Sequence, residues 1–412
     1  MPPLRAQVDF GTVSTNVSPN STAFSSQRKI VRDSTGDIFV VYLKPVQNAS
    51  QVFLSESEDN GRTWREIGRV SNGNFQSVRA SIAIDATNRV HVFWTKFIGE
   101  YGQIFYRTYD KGEWSDEHQL TSGEAYSGYP SACFDSKGRI HLVWYGFDGT
   151  AYQVYYTFYD GSGWSSPVKL SQGYPDSVNP TVAVDSSNNV HVAWFKSNGR
   201  NYQIYYIRWT GTWNEQIVLS PPLTDAYNPS MAIDSRGKIY IVWDEGPGPL
   251  TQIYYSLFGG SGWSEQAALT SGPSAQNPSV AVDDQDNVYV FYEKSDGQIY
   301  LREYSQVWSR EQKLTSSGEN TYPSVRWSFN NSPLNDANGR VDYVWTSKEN
   351  GLLSVKYGWL NVNQSQIVTQ GVPNGNAIEL TLAWITVAVV SIIFVTLFLL
   401  HKLPLSKIRK RH

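Results

Sequence analysis

The sequence is poor in cysteine, in charge and in helical periodicity. Its 412 residues include one cysteine, so an intramolecular disulfide is excluded. Only 17% of the residues are charged, and 29 basic residues stand against 37 acidic ones once the five cations of the C-terminal tail are set aside. No basic stripe and no arginine–aromatic platform is present, so the sequence predicts no nucleic-acid partner.

Aromatic residues are abundant, with 15 Trp and 26 Tyr, and most of them fall in a repeat of about fifty residues. The repeat is marked by aspartates that open a turn: Asp85, Asp135, Asp185, Asp234 and Asp283. A fixed period of this length indicates modules that bury their faces against their neighbours.

Each repeat contains four short runs of strand-forming residues separated by turn residues, with no helical pattern. The second runs end at an aromatic residue in seven copies: Tyr42, Trp94, Trp144, Trp194, Trp243, Tyr292 and Trp345. The sequence therefore predicts an all-β fold, a seven-bladed β-propeller of four-stranded antiparallel blades. The last repeat supplies only three runs, and we expect Arg5–Phe10 to add its fourth strand and close the ring, since an open blade edge invites aggregation.

The C-terminal end is of a different kind. Residues 380–400 carry no charge. An uncharged stretch of this length is long enough to form a transmembrane helix. Five Lys and Arg follow in residues 401–412 and none precede in 361–379. The predicted domains are a propeller over 1–360, a polar flexible stalk over 361–379, a transmembrane helix over 380–400 and a basic cytoplasmic tail over 401–412, with the propeller outside the cell membrane.

Two further observations bear on this localisation. Glycosylation sequons compatible with an outer surface occur at five positions: Asn16, Asn20, Asn48, Asn330 and Asn363. The residues Met1–Arg5 are followed by no apolar signal segment. We expect that a leader is missing from this sequence; the alternative is a tail-anchored protein with its propeller inside the cell.

Several conspicuous residues recur with the repeat and are predicted to be framework. Cys133 stands where other repeats have alanine, so it is predicted to be a small core residue. His91, His141 and His191 share a position that holds Tyr or Phe in other repeats, which favours ring packing over a metal site. The recurring Trp and Asp residues are interpreted as inter-blade packing and turn residues, and no metal or cofactor is predicted.

Function is expected where the copies differ, on the face formed by the blade-to-blade linkers. A ring of polar and aromatic residues opens the inner strands there: Gln27, Arg79, Tyr129, Asn179, Asn228, Asn277 and Tyr322. Such amide and phenol groups suit polar ligands; the alternative is that Asn-Pro merely begins the strand. Four acidic residues near this face are candidates for general acid–base catalysis: Asp148, Asp244, Glu245 and Glu293. The sequence does not indicate which two of them would form a catalytic pair.

One motif resembles a known family. Ser57-Glu58-Asp59-Asn60-Gly61-Arg62-Thr63-Trp64 is similar to the Asp-box of sialidases and related BNR-repeat propellers, and later repeats carry eroded copies. The resemblance implies a structural turn between third and fourth strands, built by Ser57, Asp59, Gly61 and Trp64. It also implies a sialidase active site with three arginines, a Tyr–Glu nucleophile pair and an acid/base Asp. The available arginines, Arg28, Arg79 and Arg326, stand at different registers and are not expected to converge.

The sequence thus favours a membrane-anchored, cell-surface propeller that binds glycans or envelope proteins. A sialidase-like exo-glycoside hydrolase is the first alternative, and a structural component of the cell envelope is the second. An enzyme is expected to bring two carboxylates, or a Tyr and a Glu, together in a deep central pocket lined by arginines. A binding module is expected to show a shallow face lined by Asn and aromatic residues, without a perturbed acid pair.

Overall fold

The computed structural model describes residues 11–24, 26–326 and 340–361. These residues form seven antiparallel sheets, all within the unit Met1–Asn363. Blades 1 to 3 contain thirteen strands: β2 (Ile30–Arg32), β3 (Ile38–Val46), β4 (Ala49–Ser57) and β5 (Arg65–Arg69); β6 (Ser77–Ile84), β7 (Val90–Ile98), β8 (Tyr101–Asp110), β9 (Glu113–Trp114) and β10 (His118–Gln119); β11 (Ser127–Phe134), β12 (Ile140–Phe147), β13 (Tyr152–Tyr159) and β14 (Val168–Lys169).

Blades 4 to 6 repeat the plan with four strands each: β15 (Ser177–Val184), β16 (Val190–Ser197), β17 (Tyr202–Trp209) and β18 (Ile217–Val218); β19 (Ala226–Ile233), β20 (Ile239–Glu245), β21 (Gln252–Phe258) and β22 (Ala267–Ala268); β23 (Ala275–Val282), β24 (Val288–Lys294), β25 (Gln298–Tyr304) and β26 (Gln312–Lys313). A 3-10 turn, Gly248–Leu250, lies in the β20–β21 hairpin. Blade 7 contains β27 (Glu319–Val325), β28 (Arg340–Glu349), β29 (Leu352–Asn361) and β1 (Gly11–Thr15).

The seven-bladed propeller of four-stranded blades is confirmed. An N-terminal strand, Gly11–Thr15, pairs with β29 and closes the ring. The segment Arg5–Phe10, which the sequence predicts to be the closing strand, lies outside the described residues. Because β1 belongs to the first and β29 to the last part of the propeller, this pairing covers the outer edge that blade 7 would otherwise expose.

The core lies between adjacent blades. The aromatic residues that mark the second strands lie inside these strands rather than at their ends. They are fully or almost fully buried, Trp94, Trp194 and Trp243 among them, and hydrophobic clusters join strands of neighbouring blades. The first strand of each blade lies at the centre, where it contacts the first strand of the next blade. Trp residues of the repeat are therefore packing residues, as predicted.

Strand direction defines two rims. The linkers between blades and the hairpins between second and third strands lie at one end, here called the upper rim. The hairpins between first and second and between third and fourth strands lie at the other, the lower rim. The stalk, the apolar segment 380–400 and the basic tail lie outside the described residues, and no helix among the described residues is long and apolar enough to cross a membrane.

The sequon asparagines that the structure describes are solvent-exposed: Asn16, Asn20 and Asn48. Asn330 and Asn363 lie outside the described residues. Glycosylation at these positions stays a prediction.

Candidate functional site

Six of the seven predicted ring residues occupy one repeated backbone feature. Each lies at a β-bulge in the first strand of its blade and has a left-handed backbone: Arg79 (φ 56°), Tyr129 (59°), Asn179 (51°), Asn228 (51°), Asn277 (54°) and Tyr322 (54°). A bulge re-aims its side chain and tolerates the proline that follows in five of these blades, since the second bulge position need not donate to the ladder. The left-handed conformation suits Asn and is costly for Arg and Tyr.

Gln27 differs from the other ring residues because it is fully buried. Its side-chain amide donates to the carbonyl oxygens of Arg79 (3.0 Å) and Pro130 (3.1 Å). Its neighbour Arg28 crosses the centre and donates to Met231 O (2.9 Å) in blade 5 and to Val280 O (3.0 Å) in blade 6. The segment 27–29 therefore fills the axis of the propeller beneath the ring, and Gln27 is placed as part of the floor.

Arg79 and aromatic side chains form one side of the ring, in blades 2 and 3. The Arg79 guanidinium lies 4.2 Å from the ring centroid of Tyr129 and donates to the hydroxyl of Tyr126 (3.0 Å). Tyr129 stacks on Tyr145 with centroids 4.9 Å apart and meets the edge of Phe24. These partly exposed rings present a flat surface with one cation, which suits stacking and hydrogen bonding to a sugar.

Amides and carboxyls form another side, in blades 5 to 7. The Asn228 side-chain amide donates to Asp244 Oδ2 and to Asn277 Oδ1, both at 3.4 Å. Asn277 in turn donates to Glu293 Oε1 at 2.9 Å. The structure thus brings Asp244 and Glu293 together with two ring asparagines between them.

Burial perturbs both carboxyls. It raises the pKa of Asp244 to about 7, with a further upward contribution from the charge of Glu293. Burial also raises the pKa of Glu293, against the hydrogen bonds from the Tyr322 backbone and Asn277. Among the described residues, Asp244 Oδ1 is buried and has no hydrogen-bond partner. Burial therefore disfavours the ionised form of this carboxyl, and its Oδ1 lies inside the protein without a hydrogen-bond partner among the described residues.

Asp244 and Glu293 also accept hydrogen bonds that join neighbouring blades. In four blades the side chain after the second-strand aromatic marker accepts a backbone N–H from the upper-face segment of the next blade. Thr95 Oγ1 accepts the backbone N–H of Tyr129 (3.1 Å), and Thr346 Oγ1 accepts that of Thr22 (3.1 Å). Glu293 Oε2 accepts the backbone N–H of Tyr322 (2.6 Å), and the Asp244 carboxyl accepts a hydrogen bond from the backbone of Asn277.

The other two acidic candidates are not brought to this pair. Glu245 is buried and accepts from the Trp243 indole N–H at 2.9 Å, so it supports the packing aromatic. Asp148 caps the β12–β13 hairpin through the N–H groups of Thr150 and Ala151 and pairs with Lys169 at 3.0 Å.

The three arginines named by the sialidase resemblance do not converge. Arg28 lies in the axis, Arg79 lies on the aromatic side of the ring, and Arg326 lies 3.2 Å from Asp342. The repeated histidines bind the turn aspartate of their own blade, as in His91–Asp85 at 3.1 Å. Among residues 11–24, 26–326 and 340–361, no group of His, Cys, Asp and Glu is suited to a metal ion.

The segment that resembles an Asp-box forms the β4–β5 turn. Asp59 accepts the backbone N–H groups of Arg62 (3.0 Å) and Thr63 (2.8 Å). Gly61 has φ 85° and donates to Ser57 Oγ (2.8 Å), and the Trp64 indole donates to Gly61 O (3.2 Å). This turn is on the lower rim, away from the ring.

Tyr126, Tyr145 and Phe24 were not singled out by the sequence. Tyr145 could have been, because it holds the same repeat position as Asp244 and Glu293, directly after the second-strand aromatic. Burial raises the pKa of Tyr126 to about 12, so its hydroxyl stays protonated. Phe24 carries no repeat signal, since its segment has no counterpart in other blades.

Comparisons with known proteins identify the fold. No protein-family model and no curated protein sequence matches this chain. A polysaccharide lyase described as an ulvan lyase, solved with a bound glucuronate–sulfated rhamnose unit, aligns with a TM-score of 0.63 and 13% identity over 84% of this chain and 94% of its own. The polysaccharide lyase Uly1 aligns at 0.56 and 9%, over 82% and 90%.

A sialidase from Streptococcus pneumoniae aligns with a TM-score of 0.48 and 14% identity, over 86% of this chain and 71% of its own. The chain has the β-propeller fold that the two polysaccharide lyases also have, and at these identities the likeness shows the fold alone.

Proposed function

We propose that the upper face binds a glycan and that Asp244 and Glu293 transfer protons to and from it, which makes the protein a glycan-cleaving enzyme. The observation that carries this proposal is the buried Asp244 carboxyl, with its pKa near 7 and Oδ1 without a partner among the described residues. Perturbed carboxyls of this kind cluster at functional sites.

Comparison among the blades supports the proposal. Thr95 and Thr346 accept the same inter-blade N–H with a neutral hydroxyl. A threonine would therefore meet the structural need in blades 5 and 6 without burying a group whose ionised form is costly to desolvate. The carboxyls at Asp244 and Glu293 thus have a property that packing does not require.

The arrangement suits acid–base chemistry at a glycosidic bond. A carboxyl with a pKa near 7 can donate a proton to a leaving oxygen at neutral pH. Glu293, beside it, is the candidate for the complementary base, because glycoside cleavage commonly uses two carboxyl groups. The stacked Arg79 and Tyr129 on the aromatic side would hold a sugar ring in place.

The test is turnover of a panel of polysaccharides, followed by both new reducing ends and unsaturated sugar products. We expect Asp244→Asn and Glu293→Gln each to lower kcat by about 10² or more. Asp148→Asn is the matched control, because this carboxylate caps a hairpin elsewhere on the rim. No turnover by the wild-type protein on any glycan that it binds would exclude the enzymatic proposal.

A non-catalytic glycan- or envelope-protein-binding module on the cell surface is the second candidate. The inter-blade hydrogen bonds of both carboxyls favour it, because they give Glu293 and Asp244 a structural use. It predicts binding on a glycan array that is weakened by Arg79→Ala, with no product formed. Membrane anchoring through residues 380–400 is part of either proposal and is not required by the site.

A further inference from the structure

Arg79 is a half-buried cation to which the described residues supply no carboxylate. Its guanidinium donates to the Tyr126 hydroxyl, and a guanidinium has five N–H donors. Three lysines near the same rim have carboxylate partners instead, in the pairs Lys44–Glu66, Lys96–Glu117 and Lys294–Glu311. Arg79 therefore keeps most of its donors for an acceptor that the described part of the chain does not provide.

Aromatic side chains hold this guanidinium in place. It lies 4.2 Å from the ring centroid of Tyr129 and 5.9 Å from that of Phe97. The Tyr126 ring fills space that two glycines leave, since a Cβ would lie 2.1 Å from its hydroxyl oxygen at Gly128 and 2.6 Å from its ring at Gly102. A guanidinium that lies against aromatic rings still presents the N–H groups at its edge, and this planar fork matches the oxygens of an oxyanion.

The backbone at this position does not require a cation. Asn179, Asn228 and Asn277 have the same left-handed conformation in blades 4 to 6, with φ of 51° to 54° against 56° at Arg79. Asn tolerates this conformation better than Arg does. The arginine thus brings a charge that the bulge itself does not need.

We infer that Arg79 binds an anionic substituent of the glycan, a carboxylate or a sulfate ester, and that the upper face prefers acidic polysaccharides. The inference rests on the glycan binding of the proposed function and not on its proton transfer. A neutral hydroxyl would accept a hydrogen bond from Arg79, but an oxyanion accepts shorter and stronger charge-assisted bonds and supplies a counter-charge to the half-buried cation.

The charges around the ring favour the aromatic side for an anion. Arg28, buried in the axis beneath the ring, contributes charge of the same sign as Arg79. Asp244 and Glu293 belong to blades 5 and 6, and blade 4, with the neutral Asn179, stands between them and the aromatic side in the order of the blades. An anion on Arg79 is therefore held apart from the carboxyl pair, near which like charge would oppose its binding.

The experiment measures binding of the full chain to three acidic polysaccharides, each beside a form that lacks the anionic group. Polygalacturonate and its methyl ester differ in the carboxylate, and κ-carrageenan and its desulfated form differ in the sulfate ester. Chondroitin sulfate is compared with its desulfated and its carboxyl-reduced forms. Calorimetry at about 0.15 M ionic strength gives the affinities, because attraction between distant exposed charges is then screened.

We expect the wild-type protein to bind at least one acidic polymer about 10- to 100-fold more tightly than the form without the anion. The group whose removal weakens binding identifies the anion as a carboxylate or a sulfate ester.

Arg79→Asn is the test variant, because Asn occupies the equivalent position of three blades and suits the bulge. We expect it to bind the acidic polymer about 10- to 100-fold more weakly and to lose the preference for the anion. Arg79→Lys keeps the charge without the planar fork, so an intermediate loss is expected. The matched control is Arg200→Asn, since Arg200 is exposed on the β16–β17 hairpin of the same rim, and its affinity should equal that of the wild type.

Equal affinity of the wild type for polymers with and without the anion would overturn the inference, as would binding of none of the acidic polymers or unchanged binding by Arg79→Asn. Equal losses in Arg79→Asn and Arg200→Asn would also overturn it, because they indicate a general effect of charge. A protein that prefers the anion but cleaves no glycan would contradict the enzymatic proposal alone. A protein that cleaves a glycan without this preference would contradict the present inference alone.

Discussion

Asp244 and Thr346 hold equivalent places in their blades and accept the same kind of inter-blade hydrogen bond. They differ in what burial does to them. A hydroxyl loses little when its bond is made, whereas an ionised carboxylate loses its hydration, and burial therefore raises the pKa of Asp244 to about 7. The choice of a hydroxyl or a carboxyl at this one position therefore sets the acid–base properties of the upper face.

The first prediction follows from that shift. The native state keeps the Asp244 proton up to about pH 7, whereas the unfolded chain releases it near pH 4, so the wild-type protein loses stability as pH rises between these values. Asp244→Asn removes this loss. We expect the variant to gain about 2 to 3 kcal/mol relative to wild type on going from pH 5 to pH 8.

Urea unfolding at the two pH values measures this gain. Asp148→Asn serves as the control, because hydrogen bonds from the backbone of Ala151 and from Lys169 lower the pKa of Asp148. A relative gain for the control equal to that of Asp244→Asn, or none for either, would show that Asp244 ionises normally.

The second prediction concerns Asp342, which is fully buried among arginines. Burial alone would raise its pKa, but Arg32, at 2.9 Å, and Arg326 hold the pKa of this carboxyl well below its ordinary value. Asp342→Asn leaves buried guanidinium charge without its counter-charge, so we expect a loss of about 3 to 5 kcal/mol of unfolding free energy. Denaturant unfolding at neutral pH measures it.

The matched control for Asp342 is Asp286→Asn. Asp286 pairs with Arg236, whose side chain is 77% exposed, and exposed pairs contribute about 0 to 1 kcal/mol. Similar losses in both variants would mean that burial of the Asp342 cluster does not set its strength.

At the scale of the element, the bulged first strand is the unit that places the site. Six blades have the same bulge, and each turns one left-handed residue toward the upper face. Three blades use Asn there, a residue that tolerates this conformation, whereas the others use Arg79, Tyr129 and Tyr322 at a conformational cost. The costlier residues are those that bring a cation or an aromatic ring to the site.

The third prediction tests the bulge at Asn179, whose φ is 51°. Asn179→Val places a β-branched side chain in the left-handed region and should cost about 1 to 2 kcal/mol or more. Asn179→Gly adopts the same backbone without strain and should change stability by less than about 1 kcal/mol. Equal effects of the two substitutions on the urea midpoint would indicate that the bulge can flatten.

At the scale of the whole molecule, the ring is held by its two ends and by its axis. β1 pairs with β29, and the hydrogen bond from Lys356 to Thr12 between these strands spans 344 residues of sequence. Arg28 hydrogen-bonds the opposite blades from the centre. Closure thus depends on contacts between the first blade's segments and the last ones formed along the chain.

The fourth prediction is that removal of residues 1–15 deletes β1 and leaves the edge of β29 unpaired. We expect a lower thermal midpoint and association through that edge, measured by light scattering after size-exclusion chromatography. Removal of residues 1–10 is the control, because it retains β1. A variant without β1 that stays monomeric at the wild-type midpoint would show that this pairing is dispensable.

The repeat was enough to predict the blade number, the buried Trp residues and the turn role of the aspartates, because each recurs wherever a blade needs it. It did not pick out Gly11–Thr15 as a closing strand, since this segment belongs to no repeat. Nor could it separate Asp244 and Glu293 from Asp148 and Glu245, because acidic residues near the upper ends of second strands look alike in sequence until their burial and partners are known.

The sequence by itself therefore determined the architecture, through a periodic pattern of strand, turn and packing residues that is local to each copy. Only the tertiary structure decided which residues share the upper face. Gln27 lies in the buried floor beneath the ring, and Arg79 stacks on a tyrosine. Asp244 and Glu293 are linked by hydrogen bonds from asparagines of two blades. The physical reason is that site chemistry depends on desolvation and on contacts between blades, and neither quantity is encoded within one repeat.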